Sequence, residues 1–242
     1  MTRGTLRAQH SVLVVAAHPD DEVLGAGGAI AWHRRRGDAV SVLIMGEGLG
    51  ARYATQERLR TAGGRQVVRL REEMARAHRT LGVTQTFQQQ FPDNRFDSVD
   101  LLELVKAVEA VTRRVRPRIV YTHHAGDLNV DHRLTCEAVL TACRPLAGET
   151  VERILSFEVL SSTEWAPPRA DRAFVPNVFL DISAVMDRKL KAMACYRSEL
   201  RPATHPRSLA AMAHQAKLWG AKMGGVAAAE AFVLLRELVR AR

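Results

Sequence analysis

With 242 residues and 47% hydrophobic content, the chain is long enough to bury a sizeable core as one domain, 1–242, and its length demands no second. The formal charge of +9 is spread along the sequence, 30 of the 35 basic residues being arginine, and no nucleic-acid-binding pattern accompanies it, so no nucleic-acid partner is expected. No apolar run is long and uninterrupted enough to span a bilayer and no signal peptide is recognisable; with Cys136, Cys143 and Cys195 lacking disulfide or zinc spacing, a cytoplasmic protein with reduced thiols is expected.

The first element is a continuous β-branched and apolar run over residues 11–17, which predicts a strand buried on both faces. A loop with sequence HPDDE comes next, at 18–22. Residues 27–36 predict a helix ended by Gly37, and 39–45 a second strand. Beyond a loop through Gly46 and Gly50, residues 66–81 predict a helix closed by Gly82, and 86–91 a weaker strand. The strongly periodic stretch 97–115 predicts a helix capped by Asp97 or Ser98 and stopped by Pro117. A strand over 118–124 leads into a polar loop and a helix over 131–143. Strands near 153–160 and 177–183, with helices over 184–196 and from Ser208 toward the C-terminus, complete the pattern.

This βαβα alternation predicts an α/β fold: a single Rossmann-like domain whose mostly parallel sheet is flanked by helices. Ligands of such sheets bind beyond the carboxyl ends of the strands, where both unusual loops fall. In the first, Pro19 fixes the turn, so that His18 and Asp21 can face one point while Asp20 points elsewhere. Imidazole plus carboxylate suits a divalent transition metal, most often zinc. The second loop offers His132 near a helix start, with Asp131 beside it as a supporting hydrogen-bond partner. A simpler reading has Asp20, Asp21 and Glu22 capping the next helix and meeting its dipole. Gly25, Gly27 and Gly28 do not follow the G-x-G-x-x-G spacing and are read as close helix-to-sheet contacts. His10, His33, His78 and His214 are expected in packing or solvent-facing roles, and Trp165 either lines the pocket or packs.

The stretches AHPDDEVLGAGG and THHAGDLNVDHR together resemble the PIG-L / LmbE-like family of metal-dependent N-deacetylases, and FPDNRFDSVDLLELVKAV, SFEVLSSTEWAP, CYRSELRPATHPRS and AAAEAFVLLREL extend the resemblance over nearly the whole chain. The resemblance implies zinc held by His18, Asp21 and His132, with Asp20 as general base, and a small-molecule amino-sugar or glycoconjugate substrate of the N-acetylglucosamine type losing acetyl. Where some family members carry an acid or oxyanion-stabilising histidine, this chain has Asn129. His124, His205 and Asn129 itself are the candidates for that role. Glu47, Arg71, Asp93, Asn94 and Arg207 are candidate substrate contacts. The rival readings are an amidase of the same machinery cleaving a larger acyl or thiol-sugar conjugate, and a non-catalytic nucleotide binder. A homo-oligomer is compatible with the sequence, as is another divalent transition metal.

Overall fold

The computed structural model describes residues 10–55, 57–58, 61, 63–167 and 169–239. Its strands are β1 Ser11–Ala16, β2 Ala39–Gly46, β3 Gln85–Phe91, β4 Ile119–His123, β5 Arg153–Phe157, β6 Val178–Asp181 and β7 Ala229–Glu237. They form one sheet in the order β3-β2-β1-β4-β5-β7-β6. The first five strands are parallel, and β7 runs antiparallel between β5 and β6. The α/β architecture with a mostly parallel sheet is therefore as the sequence predicts.

The main helices are α1 Asp21–Arg35, α2 Gly64–Leu81, α3 Leu101–Val115, α4 Val130–Ala142, α5 Met186–Met193 and α6 Leu209–Lys222. Strand alternation distributes β1 between two cores. Val12, Val14 and Ala16 pack with α1, with Leu70 and Met74 of α2, Met193 of α5 and Met212 of α6. Leu13 and Val15 pack on the opposite face with Leu104 and Val108 of α3 and Val139 of α4. A strand buried on both faces has no polar alternation to show, which is why β1 reads as an unbroken apolar run.

Apart from shortened ends, such as the expected helix 184–196 spanning Met186–Met193 and the strand near 153–160 ending at Phe157, three elements differ from the sequence reading. First, α1 begins at Asp21 rather than residue 27, because the helix is kinked at Ala26 (φ −137°, ψ 15°) and the glycines lie within it. A Cβ on Gly25 would stand 2.1 Å from the Phe157 ring, so that helix can lie on β5 only without a side chain there. Second, residues 96–98 form a separate 3-10 turn and α3 starts at Leu101 after Asp100, displacing the expected caps Asp97 and Ser98. The buried Phe96 accounts for this, since its N–H donates to Asp131 Oδ1 at 2.9 Å and holds the turn down against α4. Third, the helix from Ser208 stops at Lys222, and the apolar run expected to continue it forms β7. Gly224 and Gly225, with φ 105° and 94°, break the helix. The apolar run after them is short, and its periodicity alone does not distinguish strand from buried helix.

From β1 the sheet grows through β2 and β3 on one side and through β4 and β5 on the other. The crevice between the loops after β1 and β4 is the switch point at which such sheets bind ligands.

Candidate metal centre

The two switch-point loops are tied together where their strands end. Ala17 N–H, immediately after β1, donates to His123 Nε2 at the end of β4 (2.8 Å). The chain then turns tightly: His18 N–H donates to Asp21 Oδ2 (2.9 Å), and Asp20 takes φ 112°, a left-handed conformation unusual for a residue with a side chain. Asp20 caps α1 through its backbone carbonyl, which accepts from Val23 and Leu24 N–H, while its side chain makes no cap bond. The acids at 20–22 thus do more than cap. Glu22 turns away into the interior, where it accepts from Tyr196 Oη (2.6 Å) and lies 3.2 Å from His78 Nε2.

His18, Asp21 and His132 converge. Asp21 Oδ2 lies 3.3 Å from His18 Nδ1 and 3.2 Å from His132 Nε2. The outward nitrogen of each imidazole meets its own carboxylate. His18 Nε2 is 2.8 Å from Asp131 Oδ2 and 3.1 Å from Asp93 Oδ1, and His132 Nδ1 is 3.1 Å from Asp127 Oδ1, off the line of a straight hydrogen bond. With those nitrogens protonated toward their carboxylates, the facing nitrogens present lone pairs to Asp21. Three electron-pair donors with no hydrogen between them repel unless a cation or a proton sits among them, so the residues fit a divalent metal. His18, Asp21 and His132 form one of two groups among the described residues that could hold a metal; the other, His18 with Asp93 and Asp131, uses the outward face of the same imidazole.

The electrostatics agree. Burial pulls the His18 and His132 imidazoles toward neutrality, but the carboxylates of Asp131 and Asp21 on one and Asp21 and Asp127 on the other prevail, raising His132 to about 9 and His18 well above its ordinary value. Burial pushes Asp21 up, yet His132 and His18 hold it well below the usual carboxylate range. The charge that retains protons on the histidines is the charge that would retain a metal ion. Burial drives Asp20 the other way, well above the usual range, with Arg207 opposing and Asp21 adding to the rise.

A cleft of about 160 Å³ opens over these residues. Asp20, Asp93, Asn94, Asn129 and Arg207 line it with the metal group, as the sequence reading expects of site residues. Arg207 Nη1 lies 3.3 Å from Asp20 Oδ2, which has no hydrogen-bond partner, and Arg207 Nε donates to Ser161 Oγ (3.1 Å). Asn129 is fixed at both ends: Oδ1 accepts from Asp131 N–H (2.8 Å) as the cap of α4, and Nδ2 donates to Asn94 Oδ1 (2.9 Å).

Four expected site residues do not line the cleft. His124 turns outward, its Nε2 2.9 Å from the Arg172 carbonyl and its ring edge-on to Phe174. His205 Nδ1 accepts from Arg207 N–H (3.0 Å), so it shapes the Arg207 loop. Glu47 is consumed by backbone amides, accepting from Leu49 (2.7 Å), Gly50 (3.0 Å) and Asp93 (3.2 Å). Arg71 is exposed on α2 and donates to Gln90 Oε1 (2.6 Å). Asp131 is also reassigned: it supports His18, not its neighbour His132. Reading by chain proximity misses this because Asp131 and His132, one residue apart at a helix start, project in different directions.

The sequence reading overlooks Asp127, Glu199 and His123. Asp127 accepts from Ser162 Oγ, Thr163 Oγ1 (2.5 Å) and Asn129 N–H (2.8 Å), linking His132 to the loop after β5; against burial, His132 first and then the Ser162 and Thr163 hydroxyls hold its carboxyl below the usual range. Glu199 accepts from Arg52 Nη2 (2.5 Å) and lies 3.7 Å from Arg207 Nη1. His123 stacks on His132 at 4.0 Å between centroids. Asp127 carries a signal in the HHAGDLNVDH stretch. His123 opens the same stretch, and only Glu199 carries no signal without the fold.

The sequence matches the PIG-L family, described as GlcNAc-PI de-N-acetylase, over residues 13–143. A 4-oxalmesaconate hydratase of Pseudomonas putida is 32% identical over 201 residues, covering 77% of this chain and 73% of the relative. A probable N-acetyl-alpha-D-glucosaminyl L-malate deacetylase 2 of Bacillus subtilis is 27% identical over 196 residues, covering 78% and 82%. Among solved structures, the N,N'-diacetylchitobiose deacetylase of Pyrococcus horikoshii superposes with a TM-score of 0.74 at 21% identity, over 96% of this chain and 85% of that one, a likeness of fold. The matched stretch holds His18, Asp20, Asp21 and His132 in one cleft at the strand switch point, and the chain belongs to the PIG-L family.

Proposed function

We propose that the protein is a zinc-dependent N-deacetylase that removes acetyl from an N-acetylated amino sugar or glycoconjugate of the N-acetylglucosamine type. The observation that carries this reading is the convergence of His18, Asp21 and His132, each histidine backed by its own carboxylate, beside a buried Asp20 oxygen that accepts no hydrogen bond. A zinc ion held by those three residues would supply Lewis acidity and an acidified water.

The chain's own groups account for the rest. Asp20 lines the cleft, and its Oδ2 accepts no hydrogen bond and lies 3.3 Å from Arg207 Nη1; ionised beside that cation, it would take the proton of the attacking water as general base and return it to the departing amine. That double use answers the position of Asn129, which cannot donate a proton as an acid, and the outward turn of His124. Arg207 holds Asp20 on one side and brings positive charge to the cleft, where the amide oxygen gains negative charge. Asp93, Asn94 and Asn129 offer polar contacts for sugar hydroxyls. Among the described residues, Pro19 and Ala51 are the cleft's only side chains without polar groups, which disfavours a larger apolar acyl group and favours acetyl.

The hydratase relative, at 32% identity over most of this chain, supports a second reading: water addition to an unsaturated carboxylate, with Arg207 and Arg52 meeting the anion. One paired assay separates the two. The zinc-loaded protein is given N-acetylglucosamine, N,N'-diacetylchitobiose and N-acetylglucosaminyl malate with acetate release followed, and separately 4-oxalmesaconate with loss of its conjugated absorbance followed. Acetate release without hydration supports the deacetylase; hydration without acetate release replaces it.

A further inference from the structure

Trp165 is the one tryptophan among the exposed large hydrophobic side chains of the described residues, at 52% exposure. It ends the 3-10 turn Thr163–Trp165. Just before this turn, Ser161 and Ser162 line the cleft over the metal group. Trp165 itself neither lines the cleft nor packs in the interior, but its ring lies against His205, which accepts from the backbone of the cleft residue Arg207.

The turn that presents it is fixed on several sides. Asp127 accepts from Ser162 Oγ and from Thr163 Oγ1, and Thr163 Oγ1 accepts from Val159 N–H (2.7 Å). The Glu164 carboxylate accepts from Ser161 N–H (2.6 Å) and Ser162 N–H (3.2 Å), closing the loop on itself around Ser161 at φ 69°. The indole stands edge-on to the His205 ring, centroids 6.0 Å apart at 80°, and His205 in turn accepts from the backbone of Arg207. One side of the ring is anchored through the Arg207 loop while half of its surface stays in water.

Large apolar surface left in water is unfavourable, and a ring held in one place loses little freedom when a ligand covers it. The partner must suit both a flat aromatic face and a cleft lined almost wholly by polar groups. A pyranose does: its C–H face is apolar and meets the electron-rich ring face, while its hydroxyls remain at the edge. We propose that Trp165 is a stacking platform for a second sugar ring, adjoining the amino sugar whose acetamido group enters the cleft. Trp165 would then discriminate between a lone amino sugar and one that carries a further ring. This rests on the deacetylase reading.

The test is calorimetric titration of the zinc-loaded full chain, in an Asp20→Asn background that suppresses turnover, with N-acetylglucosamine and with N,N'-diacetylchitobiose. The disaccharide is expected to bind about tenfold more tightly than the monosaccharide. Trp165→Ala is expected to remove that ratio and leave monosaccharide affinity unchanged, while Trp165→Phe keeps most of it. A ratio unchanged by Trp165→Ala overturns the platform and leaves the deacetylase reading standing. So does an altered sedimentation coefficient with unaltered sugar affinity, which would make Trp165 a self-association contact. Binding of neither sugar overturns both.

Discussion

His18 Nε2 lies 2.8 Å from Asp131 Oδ2 while His18 Nδ1 faces Asp21 Oδ2 at 3.3 Å, so one imidazole joins the buried carboxylate of α4 to the metal group after β1. Asp131 also accepts from Asn94 N–H (2.6 Å) and Phe96 N–H (2.9 Å), so it orients the ring and pins the loop after β3 together. Asp131→Asn is expected to weaken zinc binding by about 10–100-fold, the usual effect of losing a carboxylate behind a ligand histidine. A chelator competition titration measures this, and an unchanged affinity would show that His18 needs no support.

Replacing Asp20 separates metal binding from chemistry. Its carboxylate lines the cleft but is not among the three converging donors. Asp20→Asn is expected to keep about one zinc per chain and to lose about 10²–10⁴-fold in kcat. Metal analysis together with acetate release checks both halves. Full activity in this variant would remove Asp20 from the base role.

Glu158 gives the pH dependence of stability a local source. Burial raises its carboxyl to about 6, against the hydrogen bond it accepts from Trp219 Nε1 (2.6 Å), while Glu164 adds to the rise. A folded pKa above the unfolded one means stability present below the unfolded value of about 4.5 and lost as pH rises through 6. Between about pH 4.5 and pH 7 the wild type should lose about 1–2 kcal/mol relative to Glu158→Gln, which keeps an acceptor for the indole. Urea unfolding at both pH values tests it, and parallel curves for the two proteins would contradict it.

Gly25→Ala places a methyl group against the Phe157 ring, whose nearest carbon would be 2.1 Å away. Phe157 is fully buried and packs on His123 at 4.8 Å, so it has little room to move. A loss of about 1–3 kcal/mol is expected, or several degrees in Tm. A melting temperature equal to wild type would mean that α1 shifts freely on the sheet.

The fold was legible wherever one local rule decided the outcome. The run over β1, the positive-φ Gly82 after α2 and the periodic face of α3 each act within a few residues. β7 was not legible, because a short apolar run after Gly224 and Gly225 looks the same as strand or buried helix, and its place between β5 and β6 is set by packing. The converging group of His18, Asp21 and His132 was readable from two loops at strand ends. Residues known only by neighbourhood fared worse. Glu47 and Arg71 carry suitable side chains, but backbone amides claim the first and solvent the second. His33 and His78, expected in packing or solvent-facing roles, are both buried and hydrogen-bonded, His33 to Asp38 (2.6 Å) and His78 to Thr86 (2.7 Å). Such pairings span elements, and no spacing rule encodes them.

The most direct test is acetate release from N-acetylglucosamine derivatives by protein stripped with a chelator and then given back one equivalent of zinc. The account predicts release that vanishes on stripping and returns with zinc in the wild type, and that fails to return in His132→Ala. Release that persists in the stripped protein, or returns fully in His132→Ala, would contradict a metal centre built on His18, Asp21 and His132.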